Sequence, residues 1–323
     1  MIGLLRSELI RARSRRLLWM LVVGSVLGVI VGVGIATIRS SPPSDGELAA
    51  ARRSQHRDRQ ICMRGDFGPT EDKPPEGYAS LAEFCDDAVP LSNYVQSDLI
   101  QRDALPEILQ GLSLVVVLLG VLVAASLGGA DWSTGSIATL LTWESRRPRV
   151  VAVRALVVGI VSFALTIFAQ VVFAIAWIVG TELAGVTETA SGSGGHVAGL
   201  ILKISVVATL FGLVAFGVAN IGRSTTAAIA VLLGYLVVIE GFLAGIWLGA
   251  LPWLLVRAAN VVISGVPLVD PFASASYGPD GQLIDVGGRG ILLSVAGGWT
   301  LIVGYVIVVL AVGVLVVQKR DVT

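Results

Sequence analysis

The groups in this chain able to do chemistry are few and scattered: three lysines (Lys73, Lys203, Lys319), two histidines (His56, His196) and two cysteines (Cys62, Cys85). None of the lysines follows a glycine, so the Gly-x-x-x-x-Gly-Lys-Ser/Thr loop that cradles nucleotide phosphates is absent. Neither histidine belongs to a His-Glu-x-x-His site or a Cys/His cluster, which argues against a metal centre. The run Ser191 to Gly195 reads as a flexible turn and lacks the Gly-x-Ser-x-Gly order of a nucleophile elbow. The chain is therefore not expected to be an enzyme, and no cofactor, metal or nucleic acid is expected with it.

What remains are charges in unusual places, and the elements that hold them explain why they are unusual. Hydrophobic residues make up 54% of the 323 and charged residues only 14%, where soluble domains carry roughly a quarter charged. The apolar residues come in long blocks: Leu17 to Ile38, Ile108 to Ala130, Leu156 to Val179, Val197 to Ala219, Thr226 to Leu248 and Ile291 to Val317. A helix rises about 1.5 Å per residue and the hydrocarbon layer is about 30 Å thick, so about 20 apolar residues cross it. Each block must be helical, because lipid offers no partner to an exposed backbone amide. The expected fold is all-α: a polytopic membrane protein with a six-helix transmembrane bundle, an N-terminal amphipathic helix and a small extracytoplasmic insertion.

Charge distribution sets the expected orientation. Arg6, Arg11, Arg13, Arg15 and Arg16 precede the first span; Arg146, Arg147, Arg149 and Arg154 follow the second; Arg223 follows the fourth; Lys319 and Arg320 follow the sixth. The alternate segments are acidic or neutral. Residues 39–107 hold 13 acidic against 8 basic residues, and Thr181 to His196 holds two glutamates and no Lys or Arg. The positive-inside rule then places both termini in the cytoplasm. Cys62 and Cys85 both fall in the 39–107 segment, on the side where thiols oxidise, so a disulfide is expected there. Arginine far outnumbers lysine, and Gly, Ala and Val are abundant, which suggests GC-rich coding DNA and a bacterial cell membrane.

Residues 1–16 place Ile2, Leu5, Leu9 and Ala12 at helical spacing, with Arg6, Glu8, Arg13 and Arg15 mostly elsewhere. This predicts an interfacial helix, although the same arginines could serve only to orient the first span. Residues 39–107 form a cap with helix-compatible stretches at Asp45 to Met63, Tyr78 to Asp87 and Leu91 to Leu105, broken by Pro- and Gly-rich runs. Residues 250–272 are apolar but interrupted by Pro252, Arg257, Asn260 and Pro267, which fits a re-entrant or interfacial segment.

Two ionisable residues sit within spans. Lys203 is about 10 Å along a helix from His196, close enough to snorkel to the interface. Glu240 admits two readings, a structural pair with Lys203 or another helix, or a place on a transport path. The most distinctive segment is the loop after the second span, Asp131 to Arg149, read as a short polar helix just inside the membrane. Its Leu140, Leu141 and Trp143 would give an apolar contact, and its Glu144, Arg146 and Arg147 would pair with a soluble partner.

In this loop the chain resembles the type-2 ATP-binding-cassette permeases. It matches their acidic residue with Asp131, their Gly-Ser/Thr with Gly135 and Ser136, their Leu-Leu with Leu140 and Leu141, their arginine with Arg146 and the basic residue opening the third span with Arg154. The ending Gln318-Lys319-Arg320-Asp321-Val322 is similar to the family's tail. The resemblance covers nearly the whole chain apart from 39–107. It implies a permease subunit, an exporter, working as a dimer with a second permease copy or homologue and driven by a separate ATP-binding-cassette ATPase. Asp131, Gly135, Leu140, Leu141, Trp143, Glu144, Arg146 and Arg147 would form the coupling surface. Two departures stand out: Glu144 occupies a position where many members carry proline, and the first two spans are joined by an unusually long segment. The rival readings are a non-transporting sensor or assembly scaffold whose cap binds a ligand, an ion-coupled secondary transporter, and an intramembrane enzyme. The last lacks any acid, base or metal set.

Overall fold

A computed structural model describes residues 2–39, 45–64, 80–89, 94, 105–133, 135, 146–183, 193–270, 275–277, 283–286 and 290–319. Six of its helices are long and apolar enough to cross a membrane. In chain order the helices are α1 (Ile2–Arg13), α2 (Arg16–Arg39), α3 (Asp45–Met63), α4 (Leu81–Ala88), α5 (Leu105–Gly111), α6 (Ser113–Ser133), α7 (Arg147–Leu183), α8 (Ser193–Gly222), α9 (Thr225–Ile246), α10 (Leu255–Ser264) and α11 (Val295–Lys319). The chain is a predominantly helical polytopic membrane protein, and the spans are α2, α6, α7, α8, α9 and α11. Two compact units can be distinguished. One comprises Met1–Val29, Asp103–Ile175 and Ala190–Thr323, and the other Ile30–Arg102 and Ala176–Thr189.

In the first unit, α6 and α8 form the central pair. Lipid tails give two helices no hydrophobic reason to meet, so close approach depends on small residues. Here Gly120, Ala124 and Gly128 recur every four residues on α6 and face Ala208, Gly212 and Ala219 of α8. A methyl at Gly120 would lie 2.7 Å from the Ala208 carbonyl oxygen, and one at Gly212 would lie 3.0 Å from the Gly120 carbonyl oxygen. The α11 helix joins the pair in the same way, with Gly217 of α8 against Val309 and Gly313. The core around this crossing holds Val123, Ala125, Val158, Ala215 and Phe216. Between α7 and α8, the fully buried Gln170 donates through Nε2 to Ser205 Oγ at 2.7 Å, a polar tie within an otherwise apolar contact.

Arg223 and Ser224 alone separate α8 from α9. The turn is tight enough to hold Arg223 at φ 51°, a left-handed conformation that costs a non-glycine residue about 1–2 kcal/mol. Ser224 then caps α9 by accepting from the Ala227 amide at 3.4 Å. The Tyr235–Leu243 part of α9 is π-helical. After a 3-10 turn at Leu248–Trp253, α10 runs for 10 residues, about 15 Å, roughly half the hydrocarbon thickness. It ends at Gly265, whose φ of 75° and bond to the Val261 carbonyl (3.0 Å) form a left-handed cap. The expected re-entrant segment is thus a short, buried helix, packed through Ala258, Val261 and Val262 against the first turns of α11. Beyond it, β1 (Leu268–Val269) pairs antiparallel with β4 (Ile291–Leu293), and Asp270 N–H donates to the Gly290 carbonyl at 2.7 Å. Between them β2 (Ala275–Tyr277) and β3 (Leu283–Val286) form a second antiparallel pair.

The second unit contains α3 and α4. Gln55, Arg59 and Cys62 follow one another at helical spacing on one face of α3. They meet Val89, Asp86 and Cys85 in antiparallel order. Gln55 Nε2 donates to the Val89 carbonyl at 3.1 Å, and Arg59 Nη2 donates to Asp86 at 2.9 Å. Cys62 and Cys85 form the expected disulfide, with Cα atoms 5.9 Å apart. Tyr94 donates to Asp58 at 2.6 Å, and that hydrogen bond holds the phenol pKa above its ordinary value. The expected helix at Asp45 to Met63 is α3, and α4 begins inside the one expected at Tyr78 to Asp87 and ends one residue past it. Most of the stretch from Leu91 to Leu105 lies outside the described residues.

Candidate functional site

The first candidate lies where α1, α6 and α7 meet. The elbow between α1 and α2 is two residues long and brings Arg15 against the C-terminal half of α6. Arg15 Nη1 donates to the Ser126 carbonyl at 3.1 Å, and its Nη2 donates to Asp131 Oδ1. From the other side Arg154 Nη2 donates to the Leu127 carbonyl at 3.1 Å and to Asp131 Oδ2. One buried carboxylate therefore holds two guanidinium groups from chain segments 116 and 23 residues away. The carbonyl end of α6 favours both cations through its dipole. Phe216 of α8 lies 6.0 Å from the Arg154 guanidinium carbon, within reach of a cation–π contact. The cluster extends to Glu8, which accepts from Arg11 at 3.1 Å and is itself buried.

Two ties flank this network. Trp132 donates from its indole to Asn220 Oδ1 at 3.2 Å, and its ring lies 4.9 Å from the Arg223 guanidinium carbon, fastening the end of α6 to the α8–α9 turn. Gly129 sits against the backbone of Thr225, where no side chain would fit. At the start of α7, Arg147 donates to the Val317 and Gln318 carbonyls at 3.2 and 3.3 Å, satisfying the last turn of α11.

Two acidic residues turn into the protein. Asp131, counted with the coupling surface, is buried and turned inward; its first role is to hold Arg15 and Arg154. Glu8 lies on the packed face of α1 with Leu5, Leu9 and Ala12, where Arg11 pairs with it. Of the other surface residues, Gly135 and Arg146 are exposed, and Gly135 takes a left-handed φ of 68°. Arg147 is half-buried in its contact with α11. Leu140, Leu141, Trp143 and Glu144 lie outside the described residues.

The second candidate is Glu240. Its Oε1 accepts from the Val256 amide at 2.6 Å and from the Tyr235 hydroxyl at 3.0 Å, while that hydroxyl accepts from the Leu255 amide at 3.0 Å. The amides at the start of α10 would otherwise have no partner. The π-helical stretch makes the arrangement possible: its i to i+5 bonding brings residues five apart, Tyr235 and Glu240, to one face, where an α-helix would separate them. Of the two readings open for Glu240, the structural pair describes Oε1, with the backbone of α10 as partner in place of Lys203. Lys203 itself is exposed on α8.

Beside this cap a cavity of about 450 Å³ opens among α6, α8, α9 and α10. No family model matches this chain, and neither does any curated protein or solved structure. What the two sites can do must therefore be argued from their geometry.

Proposed function

We propose that this protein is the membrane-spanning subunit of an ATP-driven transporter, an exporter, powered by a separate ATPase that docks on the segment between α6 and α7. The observation that carries the reading is the clamp of Arg15 and Arg154 on Asp131. The docking segment begins within a few residues of Asp131 and ends at Arg147. Its first end is fixed to the α1–α2 elbow and to α7, and its second end to the last turn of α11. A force applied there would reach three spans through charged hydrogen bonds instead of dissipating in a slack loop. Such contacts are shorter and about twice as strong as neutral ones. Ligand-driven rigid-body movement needs connections of this kind between its driver and its gate. A second permease copy and the surrounding lipid would cover the apolar side chains that α9 and α11 leave exposed, such as Val237, Phe242, Ile307 and Val312.

The test is isolation of the chain from its native membrane in mild detergent, with a search for a co-purifying protein that carries the phosphate loop. Charge reversals at Glu144 and Arg146 are expected to release that partner while leaving thermal unfolding of the permease unchanged. Full biological activity from the chain purified without an ATPase would overturn the proposal. The sensor or scaffold reading has one observation in its favour, a row of exposed arginines on α3 at Arg52, Arg53 and Arg57. Deleting the 39–107 cap separates the two: a sensor loses function outright, whereas a transporter keeps its ATPase coupling.

A further inference from the structure

The cavity among α6, α8, α9 and α10 has a mostly apolar lining. On α6 it is bordered by Ser113, Leu114, Val117, Leu118, Val121 and Leu122, a single helical stripe that runs about 14 Å inward from the first residue of the span. Its polar lining includes Gln110 of α5, Ser113 at the start of α6 and Asn260 of α10. None of these three side chains forms a hydrogen bond with the described residues, whereas the fourth polar residue, Tyr235, is committed to Glu240 and Leu255. Among the described residues the lining holds no charged side chain. A volume of about 450 Å³ falls within the roughly 300–1,000 Å³ of pockets that enclose small ligands.

We infer that this cavity binds an uncharged amphiphile with a single apolar chain, its hydrogen-bonding head at Gln110, Ser113 and Asn260 and its chain along the α6 stripe. Charge is selected against because an ion entering this apolar space would lose water and meet no charged side chain in the lining; Glu240 stands behind Tyr235, with its Oε1 committed to that hydroxyl and to the Val256 amide. A neutral hydroxyl or amide head instead meets one hydroxyl and two carboxamides, each able to donate and accept. That the occupant is cargo rests on the transporter reading; the binding site does not.

The test uses the full chain in phosphatidylcholine nanodiscs and three photoactivatable probes of equal chain length: a monoacylglycerol, a lysophosphatidic acid and an alkyl trimethylammonium. A fourth, headless alkyl probe reports on the apolar part alone. Saturable labelling of α6 and α9 cavity residues by the monoacylglycerol, well above that by either charged probe, is expected. Leu118→Trp should abolish labelling by filling the space. The triple variant Gln110→Leu, Ser113→Ala, Asn260→Leu should weaken monoacylglycerol binding about a hundredfold, since three lost hydrogen bonds of about 1 kcal/mol each count at about 1.4 kcal/mol per tenfold. Retained labelling of that variant by the headless probe shows that its cavity is intact; a variant that loses this signal is replaced by the single Asn260→Leu, judged by the same ratio. Equal labelling by the charged probes, unsaturable labelling spread over the exposed faces of α9 and α11, or full monoacylglycerol binding by the head variant would each overturn the inference. Binding that passes these criteria in a complex whose ATP hydrolysis ignores the monoacylglycerol would overturn its role as cargo and leave the site standing.

Discussion

Asp131 and Glu240 are both carboxylates within spans, yet they are made tolerable in opposite ways. Asp131 is almost fully buried and is matched by two full positive charges from distant parts of the chain. Glu240 is half-buried and is matched by neutral donors from the next helix, 16 residues on, and by a tyrosine five residues before it. The contrast separates two uses of one functional group. A carboxylate between guanidinium groups joins elements that the chain order leaves apart. A carboxylate on amide hydrogens starts a helix where the backbone has no other acceptor.

The strongest way to break this comparison is to remove Asp131. Asp131→Ala would leave Arg15 and Arg154 facing each other without the carboxylate that holds both, and a loss of about 3–5 kcal/mol is expected, read as thermal unfolding in detergent. Adding Arg154→Leu to the same chain should recover part of that loss, because one stranded charge goes with it. Unchanged stability in the single variant would mean that the clamp holds nothing.

A smaller effect sharpens the other side. Glu240→Ala strips the Val256 amide of its acceptor and is expected to cost about 1–3 kcal/mol, with faster hydrogen exchange at the start of α10. Glu240→Gln keeps an acceptor oxygen and should stay within about 1 kcal/mol of the parent. Loss of transport in the Gln variant at normal expression would assign the charge itself a function and dissolve the contrast. The smallest expected effect concerns the turn that ties α6 to α9. Arg223→Ala loses the contact with Trp132, worth about 0.5–1 kcal/mol, and keeps the left-handed strain. Arg223→Gly loses the same contact but relieves the strain, so it should unfold at a higher temperature than the Ala variant.

The spans were legible in the sequence because their length is imposed by the membrane and their composition by lipid. The blocks Leu17 to Ile38 and Val197 to Ala219 fall inside α2 and α8, with ends displaced by a few residues. Three blocks depart from this: Ile108 to Gly111 belong to α5, Leu248 opens the 3-10 turn after α9, and Ile291 to Leu293 pair with β1 before α11 begins. The disulfide was legible too, with only two cysteines in one segment. The partners of the buried charges were not. Arg15 and Asp131 stand 116 residues apart, and nothing local distinguishes Arg15 from the four neighbouring arginines that set topology. Glu240 was conspicuous as an acid in a span, but its partner is a backbone amide, which leaves no mark in a residue pattern. The π-helical register that delivers Tyr235 to it is equally invisible, since apart from Glu240 the stretch Tyr235–Leu243 reads like any lipid-facing helix.

The strand pair between α10 and α11 has a consequence of its own. The chain leaves at Asp270 and returns at Gly290 through a direct backbone hydrogen bond, so residues 271–289 start and finish at one point. With its ends joined there, lengthening the excursion costs only about 0.6 kcal/mol of closure entropy per doubling. An epitope or a small fluorescent reporter spliced between β2 and β3 should therefore leave the bundle undisturbed.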